Sequence, residues 1–170
     1  ENLQAPILAD PLSNVRRWYK TDAIDANHEA AINRSNDTDM TQKKPSPDVV
    51  ISTYDAFLAN KDLWPVLKPD CVIQFGQIVV SKRVQQMVAS WNSVEYIEVN
   101  PTMDSMNPTG KTTIHMQASI DMFTHLYAVT NESNAYLNRW QSLEAAGKAQ
   151  LSTAIEEPSC FEGRTIRELQ

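Results

Sequence analysis

Two adjacent cations at the start of a helix are the residues of this sequence best suited to do chemistry. Ser81-Lys82-Arg83 stands five residues after an apolar run, Cys71-Val72-Ile73-Gln74-Phe75, that closes on Gly76. From Ser81 onward Val84, Met87, Val88 and Trp91 recur at helical spacing, so Ser81 is predicted as the N-cap and Lys82 and Arg83 as the first turn. Cations there oppose the helix dipole, at roughly 0.3 to 1 kcal/mol each where exposed. A bound anion would reverse that cost, because free backbone N–H groups, the dipole and both side chains would converge on it. The competing reading is that both cations are solvated or paired with nearby Asp and Glu. In open parallel sheets, the carboxyl ends of strands are where ligands bind.

Other chemistry finds little support. His28, His115 and His125 are too scattered for metal-ligand spacing, and His115 within a strand reads as a core residue. No Gly-x-Ser-x-Gly elbow or Cys-His signature is present. Gly76, Gly110, Gly147 and Gly163 are the only glycines, and no two are neighbours, so no clustered-glycine diphosphate cradle is expected. Met103, Met106, Met116 and Met122 read as packing residues, and Glu156-Glu157 as a solvated charge pair.

The elements that must position Ser81, Lys82 and Arg83 alternate. Residues 6 to 9 form a short apolar strand leading into the Asp10-Pro11 turn, followed by a weak amphipathic helix with Ile24, His28, Ala31 and Ile32 on one face. Residues 33 to 47 are polar and read as a loop. Ser46 and Pro47 then start a helix carrying Val50, Tyr54, Phe57 and Leu58 inward, with 49 to 53 a strand as the alternative. Strands are expected at 71 to 75, 94 to 99 and 112 to 118, and helices at 81 to 91, 119 to 128 and 132 to 151, with Gly147 weakening the last turn of the final one. The near-continuous apolar character of 71 to 75 suits a strand covered on both faces. The fold class is α/β: a three-layer, mostly parallel Rossmann-like sheet flanked by helices.

Composition agrees with one soluble domain. The 170 residues are 42% hydrophobic, with a mean hydropathy of -0.41, enough to bury a sizeable core. A net charge of -6 without a basic stripe argues against nucleic acid. There is no apolar run of about 18 residues for a membrane span and no leader. Cys71 in an apolar strand and Cys160 in a polar segment read as reduced thiols, hence a cytoplasmic protein, in which the sequons at Asn33, Asn36 and Asn131 carry no weight.

Five motifs in order also resemble a family. They are Ala9-Asp10-Pro11-Leu12-Ser13, Thr53-Tyr54-Asp55-Ala56-Phe57-Leu58, Leu67-Lys68-Pro69-Asp70, the strand Cys71 to Gly76, and Ser81-Lys82-Arg83. The chain resembles the central domain of the thiamine-diphosphate-dependent menaquinone-pathway synthases, which make 2-succinyl-5-enolpyruvyl-6-hydroxy-3-cyclohexene-1-carboxylate. The likeness runs from Pro6 to Ala118 and resumes at Tyr136 to Trp140 and Phe161 to Leu169. It implies a three-domain, homo-oligomeric parent in which this domain lies between N- and C-terminal domains of the same chain. By the same resemblance residues 1–155 are an N-terminally incomplete central domain, lacking the family's first strand-helix unit, with Glu1 to Gln4 as the tail of that helix. A sheet lacking one strand has an edge that could pair with another copy. Residues 156–170 then correspond to the linker toward the C-terminal domain.

The resemblance further implies decarboxylation of 2-oxoglutarate on thiamine diphosphate and Mg²⁺, and addition of the succinyl unit to isochorismate. The family's Gly-Asp-Gly cofactor motif and its activating glutamate belong to other domains and are missing here, so no cofactor or metal is expected on this chain, and no catalytic residue. Lys82 and Arg83 match the family's basic residues that help hold substrate carboxylates, with Ser81 beside them. Both substrates are dicarboxylates, and Arg83 is favoured because a guanidinium grips a carboxylate through two hydrogen bonds. The chain departs from the family at Asn100-Pro101 and Met106-Asn107-Pro108, where relatives carry Asp-Pro and Trp-Arg-Asp-Pro, and at Val79-Val80 in place of Pro-Thr. Two other functions stay open: a regulatory module binding a dicarboxylate or pathway product, and the central domain of another thiamine-diphosphate enzyme.

Overall fold

A computed structural model describes residues 5–10, 49–102, 104–120, 122–123 and 135–156, the side chains of 155 and 156 excepted. The predicted helix around Ile24 to Ile32, the loop at 33 to 47, the Ser46-Pro47 helix start and the tail after 156 lie outside the described residues. Within them the chain forms β1 (Ile7–Leu8), β2 (Val50–Ile51), α1 (Tyr54–Phe57), α2 (Leu63–Val66), β3 (Cys71–Phe75), α3 (Lys82–Ser90), β4 (Glu95–Asn100), β5 (Ile114–Gln117) and α4 (Ala135–Glu156).

Every described strand pair is parallel. β1 pairs with β2, Ile7 opposite Val50, while β3, β4 and β5 form a second sheet in that order. Parallel ladders need crossover connections, and α3 supplies the one between β3 and β4. The architecture is therefore an α/β Rossmann-like fold of parallel strands and helices.

At β2 the sequence admits a helix or a strand. Of the two readings of this segment the strand holds: Val50 and Ile51 are a buried strand and the next α-helix begins at Tyr54. A β-branched run loses side-chain freedom in a helix and fits a pleated ladder, and β1 provides the partner strand. Ile51, Tyr54, Leu58, Leu67 and Trp140 then join Val84, Met87, Val88 and Tyr96 in one core cluster that draws on both sheets. Trp140 of α4 meets Phe57 and Tyr136 edge-on, at ring separations of 5.9 and 6.3 Å.

A departure from expectation is at β3. Among the described residues its two faces are covered unequally: Gln74 is buried, whereas Cys71 is exposed and Ile73 and Phe75 retain 37% and 39% of their surface. Gln74 goes inside because its amide donates to the Gly76 carbonyl at 2.6 Å and its oxygen accepts from the Tyr96 hydroxyl at 2.5 Å. On the opposite face Phe123 stacks edge-on against Phe75 at 5.2 Å and packs with Val99 and Ala118.

A second concerns Gly147. α4 runs through it without a break to Glu156, although glycine weakens helix interiors by about 1 kcal/mol relative to alanine. The position admits no side chain, since a Cβ there would overlap the Thr53 hydroxyl and come within 3.0 Å of the Thr53 Cβ. Gly147 thus allows α4 to approach the turn after β2.

Candidate functional site

The carboxyl ends of three strands converge at the start of α3. Past β1 stands Asp10, past β2 the turn Ser52 to Asp55, and past β3 the loop Gly76 to Ser81. Gly76 takes φ +65°, a left-handed conformation natural to glycine, and donates its N–H to the Val99 carbonyl at 2.9 Å as the chain leaves the sheet. The Val80 N–H donates to Asp10 Oδ2 at 3.0 Å, tying the ends of β1 and β3 together. Gln85 of α3 donates back to the Val79 carbonyl at 3.1 Å.

Ser81 is the N-cap, its oxygen accepting from the Val84 N–H at 3.3 Å. Its hydroxyl also donates to Asp55 Oδ1 at 2.5 Å. The same carboxylate takes Arg83: Nη1 donates to Asp55 Oδ2 at 2.7 Å and to the Asp55 carbonyl at 2.7 Å. The Arg83 and Asp55 side chains keep 46% and 54% of their surface, so this is a surface pair, a class typically contributing about 0 to 1 kcal/mol. Lys82 is exposed, and among the described residues it has no hydrogen-bond or ion-pair partner. No acidic residue lies in the first turn of α3; the balancing charge comes from the neighbouring turns.

The three residues singled out in the sequence are therefore together, but they do not act alike. Lys82 has no partner among the described residues and faces solvent, Arg83 shares its charge with Asp55, and Ser81 couples the helix cap to that same carboxylate. Such an arrangement can hold an anion electrostatically and through guanidinium N–H donors.

Two buried carboxylates went unnoticed in the sequence. Glu144 of α4 accepts from Ser52 Oγ at 2.5 Å, from Thr53 Oγ1 at 2.7 Å and from the Thr53 N–H at 2.8 Å, with Lys148 at 3.2 Å. Burial alone would raise its pKa, but the donors of Ser52 and Thr53 outweigh it and bring the carboxyl from 4.5 down to about 2. It therefore anchors α4 to the turn that carries Asp55. Glu98 of β4, fully buried, accepts from Ser105 Oγ at 2.9 Å, from Thr112 Oγ1 at 3.0 Å and from the Met106 N–H. Burial pushes the Glu98 carboxyl up, these donors and the nearby His115 push it down, and the net direction is down. His115 stands in register with it on β5; it is part-buried and its Nε2 has no hydrogen-bond partner among the described residues. The 101–112 loop folds around Asn107, whose side-chain oxygen accepts from the Thr109 N–H at 3.0 Å and hydroxyl at 2.6 Å. The signal for Glu98 was the Ser and Thr residues bracketing its loop; for Glu144 it was the Ser-Thr pair at 52 and 53.

With this geometry in hand, comparison with known proteins decides the family. The model described as the middle domain of thiamine pyrophosphate matches residues 38–170. The chain belongs to the middle-domain family of thiamine pyrophosphate enzymes. Within that family its similarity is to 2-succinyl-5-enolpyruvyl-6-hydroxy-3-cyclohexene-1-carboxylate synthases. The protein of that name from Lactococcus lactis subsp. lactis (strain IL1403) is 39% identical over 170 residues, that from Lactococcus lactis subsp. cremoris (strain SK11) 36% and that from Desulfitobacterium hafniense (strain DSM 10664 / DCB-2) 32%. In each case the match covers 100% of this chain and 26% of the relative, so the middle domain here spans about a quarter of the length of the curated relatives it matches. No described helix is long and apolar enough to cross a membrane.

Proposed function

We propose that this middle domain works within a 2-succinyl-5-enolpyruvyl-6-hydroxy-3-cyclohexene-1-carboxylate synthase, where the start of α3 lends positive charge to a substrate carboxylate. The parent would be a decarboxylating carboligase, a transferase joining a succinyl unit from 2-oxoglutarate to isochorismate. The observation that carries the substrate contact is Lys82, exposed and without a partner among the described residues, beside Ser81 and Arg83 at the carboxyl ends of parallel strands. Lys82 supplies a point charge and Arg83 a planar fork of donors.

The described residues do not fit thiamine diphosphate or Mg²⁺. Gly76 and Gly110 stand in separate turns, and the space a side chain would take at Gly147 is filled by Thr53. Among the described residues no three His, Cys, Asp or Glu side chains group as metal ligands. In this reading cofactor and metal are held by other parts of the parent, the N- and C-terminal domains.

Steady-state kinetics of the full-length parent test the contact. Arg83→Ala and Lys82→Ala are each assayed with 2-oxoglutarate and isochorismate varied separately. A KM raised about 10-fold or more for one substrate, roughly 1.4 kcal/mol, supports the contact and identifies the substrate; two unchanged KM values reduce the domain to a scaffold.

A further inference from the structure

Arg83 uses only part of its donor set within the domain. Both of its hydrogen bonds leave from one nitrogen, Nη1, to the carboxylate and the carbonyl of the same residue, Asp55. A guanidinium has five N–H donors in a fixed plane, and among the described residues Nη2 and Nε have no acceptor, which leaves them for a second one. Asp55 is itself held: its other oxygen accepts from Ser81 at 2.5 Å, and its turn is fixed from below by Glu144, which accepts both the N–H and the hydroxyl of Thr53. A line of contacts thus runs from α4 through Glu144, Thr53 and Asp55 to Arg83.

We infer that Asp55 is a positioning residue, holding the Arg83 guanidinium so that its remaining N–H edge faces a substrate carboxylate at the start of α3. This rests on the substrate-contact reading above. A free arginine would have to give up its rotamers on binding, whereas one clamped through Nη1 is ordered beforehand. The rival role for Asp55 is a counter-ion that competes with the substrate for Arg83. In that case removing its charge would tighten binding, because the two carboxylates would no longer exclude each other.

The test is a double-mutant cycle in the full-length parent with Asp55→Asn, Arg83→Ala and both together, reading KM and kcat for each substrate. Positioning predicts that Asp55→Asn raises the KM of the substrate affected by Arg83→Ala, about 5- to 10-fold with kcat within about twofold, and that the double variant is no worse than Arg83→Ala alone. A lowered KM in Asp55→Asn overturns the inference in favour of competition. An unchanged KM in Asp55→Asn, with Arg83→Ala impaired, overturns positioning and leaves the substrate contact standing. If Arg83→Ala changes neither KM, the contact fails and the inference with it. Should Asp55→Asn not fold, Asp55→Glu decides: a KM raised at least about twofold for that substrate with kcat unchanged supports positioning, and an unchanged or lowered KM overturns it.

Discussion

Glu144 and Asp55 lie on opposite sides of one turn and do similar chemistry at different depths. Each carboxylate accepts a serine hydroxyl at 2.5 Å and a second donor near 2.7 Å. Glu144 and its partner Thr53 are buried, with Ser52 part-buried beside them; Asp55 and its partner Arg83 are about half exposed. Desolvation makes the first arrangement expensive to disturb, while solvent screening leaves the second exchangeable. The difference teaches where to look for structure and where for function: the buried carboxylate builds the turn, and the exposed pair on it is free to engage something else.

The largest effect should come from the buried side. Glu144→Ala strands the buried Thr53 N–H and hydroxyl, besides the part-buried Ser52 hydroxyl, and orphaned buried groups cost about 1 to 3 kcal/mol each. A loss of about 3 kcal/mol or more in chemical unfolding is expected, and a loss below about 1 kcal/mol would erase the contrast with Asp55. Gly147→Ala comes next. Helix propensity favours alanine by about 1 kcal/mol, but the collision with Thr53 should outweigh it with a net loss of about 1 to 2 kcal/mol, and Thr53→Ser, which removes the methyl, does not relieve it because the hydroxyl is the nearer atom.

Acid sharpens the comparison further. The Glu144 pKa falls from 4.5 to about 2 on folding, so its contribution is complete above pH 4.5 and is lost as pH falls toward 2, on the order of 3 kcal/mol in all. Glu98, also lowered, acts in the same direction. Glu144→Gln should flatten the stability profile between pH 4.5 and 2; an equally steep profile would mean that other carboxylates carry it. The smallest effect on stability belongs to the exposed pair, for which Arg83→Ala should shift unfolding by less than about 1 kcal/mol.

Much of this was legible in the sequence, and the gaps share a cause. β3, α3, β4 and β5 follow from local periodicity, and the Ser81 cap from its place before Val84, Met87 and Val88. Val50 and Ile51 stay open between helix and strand in the sequence because Tyr54, Phe57 and Leu58 continue their spacing as a helix would, while the deciding partner, β1, lies some 43 residues earlier. Gly147 looked like a weak point because its reason, Thr53, is remote in sequence. Glu144 carries no local mark of burial, since its donors are 91 and 92 residues away, whereas the donors of Glu98 lie 7 to 14 residues on. For the candidate site the residue types and their place at the helix start were readable; the partner of Arg83 was not, beyond the expectation that some Asp or Glu could take it.

The central claim is that the start of α3 binds a substrate carboxylate while the carboxylates beneath it hold the fold. It is tested most directly by the KM of each substrate in a full-length parent carrying Lys82→Ala and Arg83→Ala together, at an unfolding midpoint matched to the unmutated protein. The account predicts a KM raised at least 10-fold for one dicarboxylate substrate, roughly 1.4 kcal/mol or more. Unchanged KM values for both would contradict it and leave the middle domain as scaffold alone.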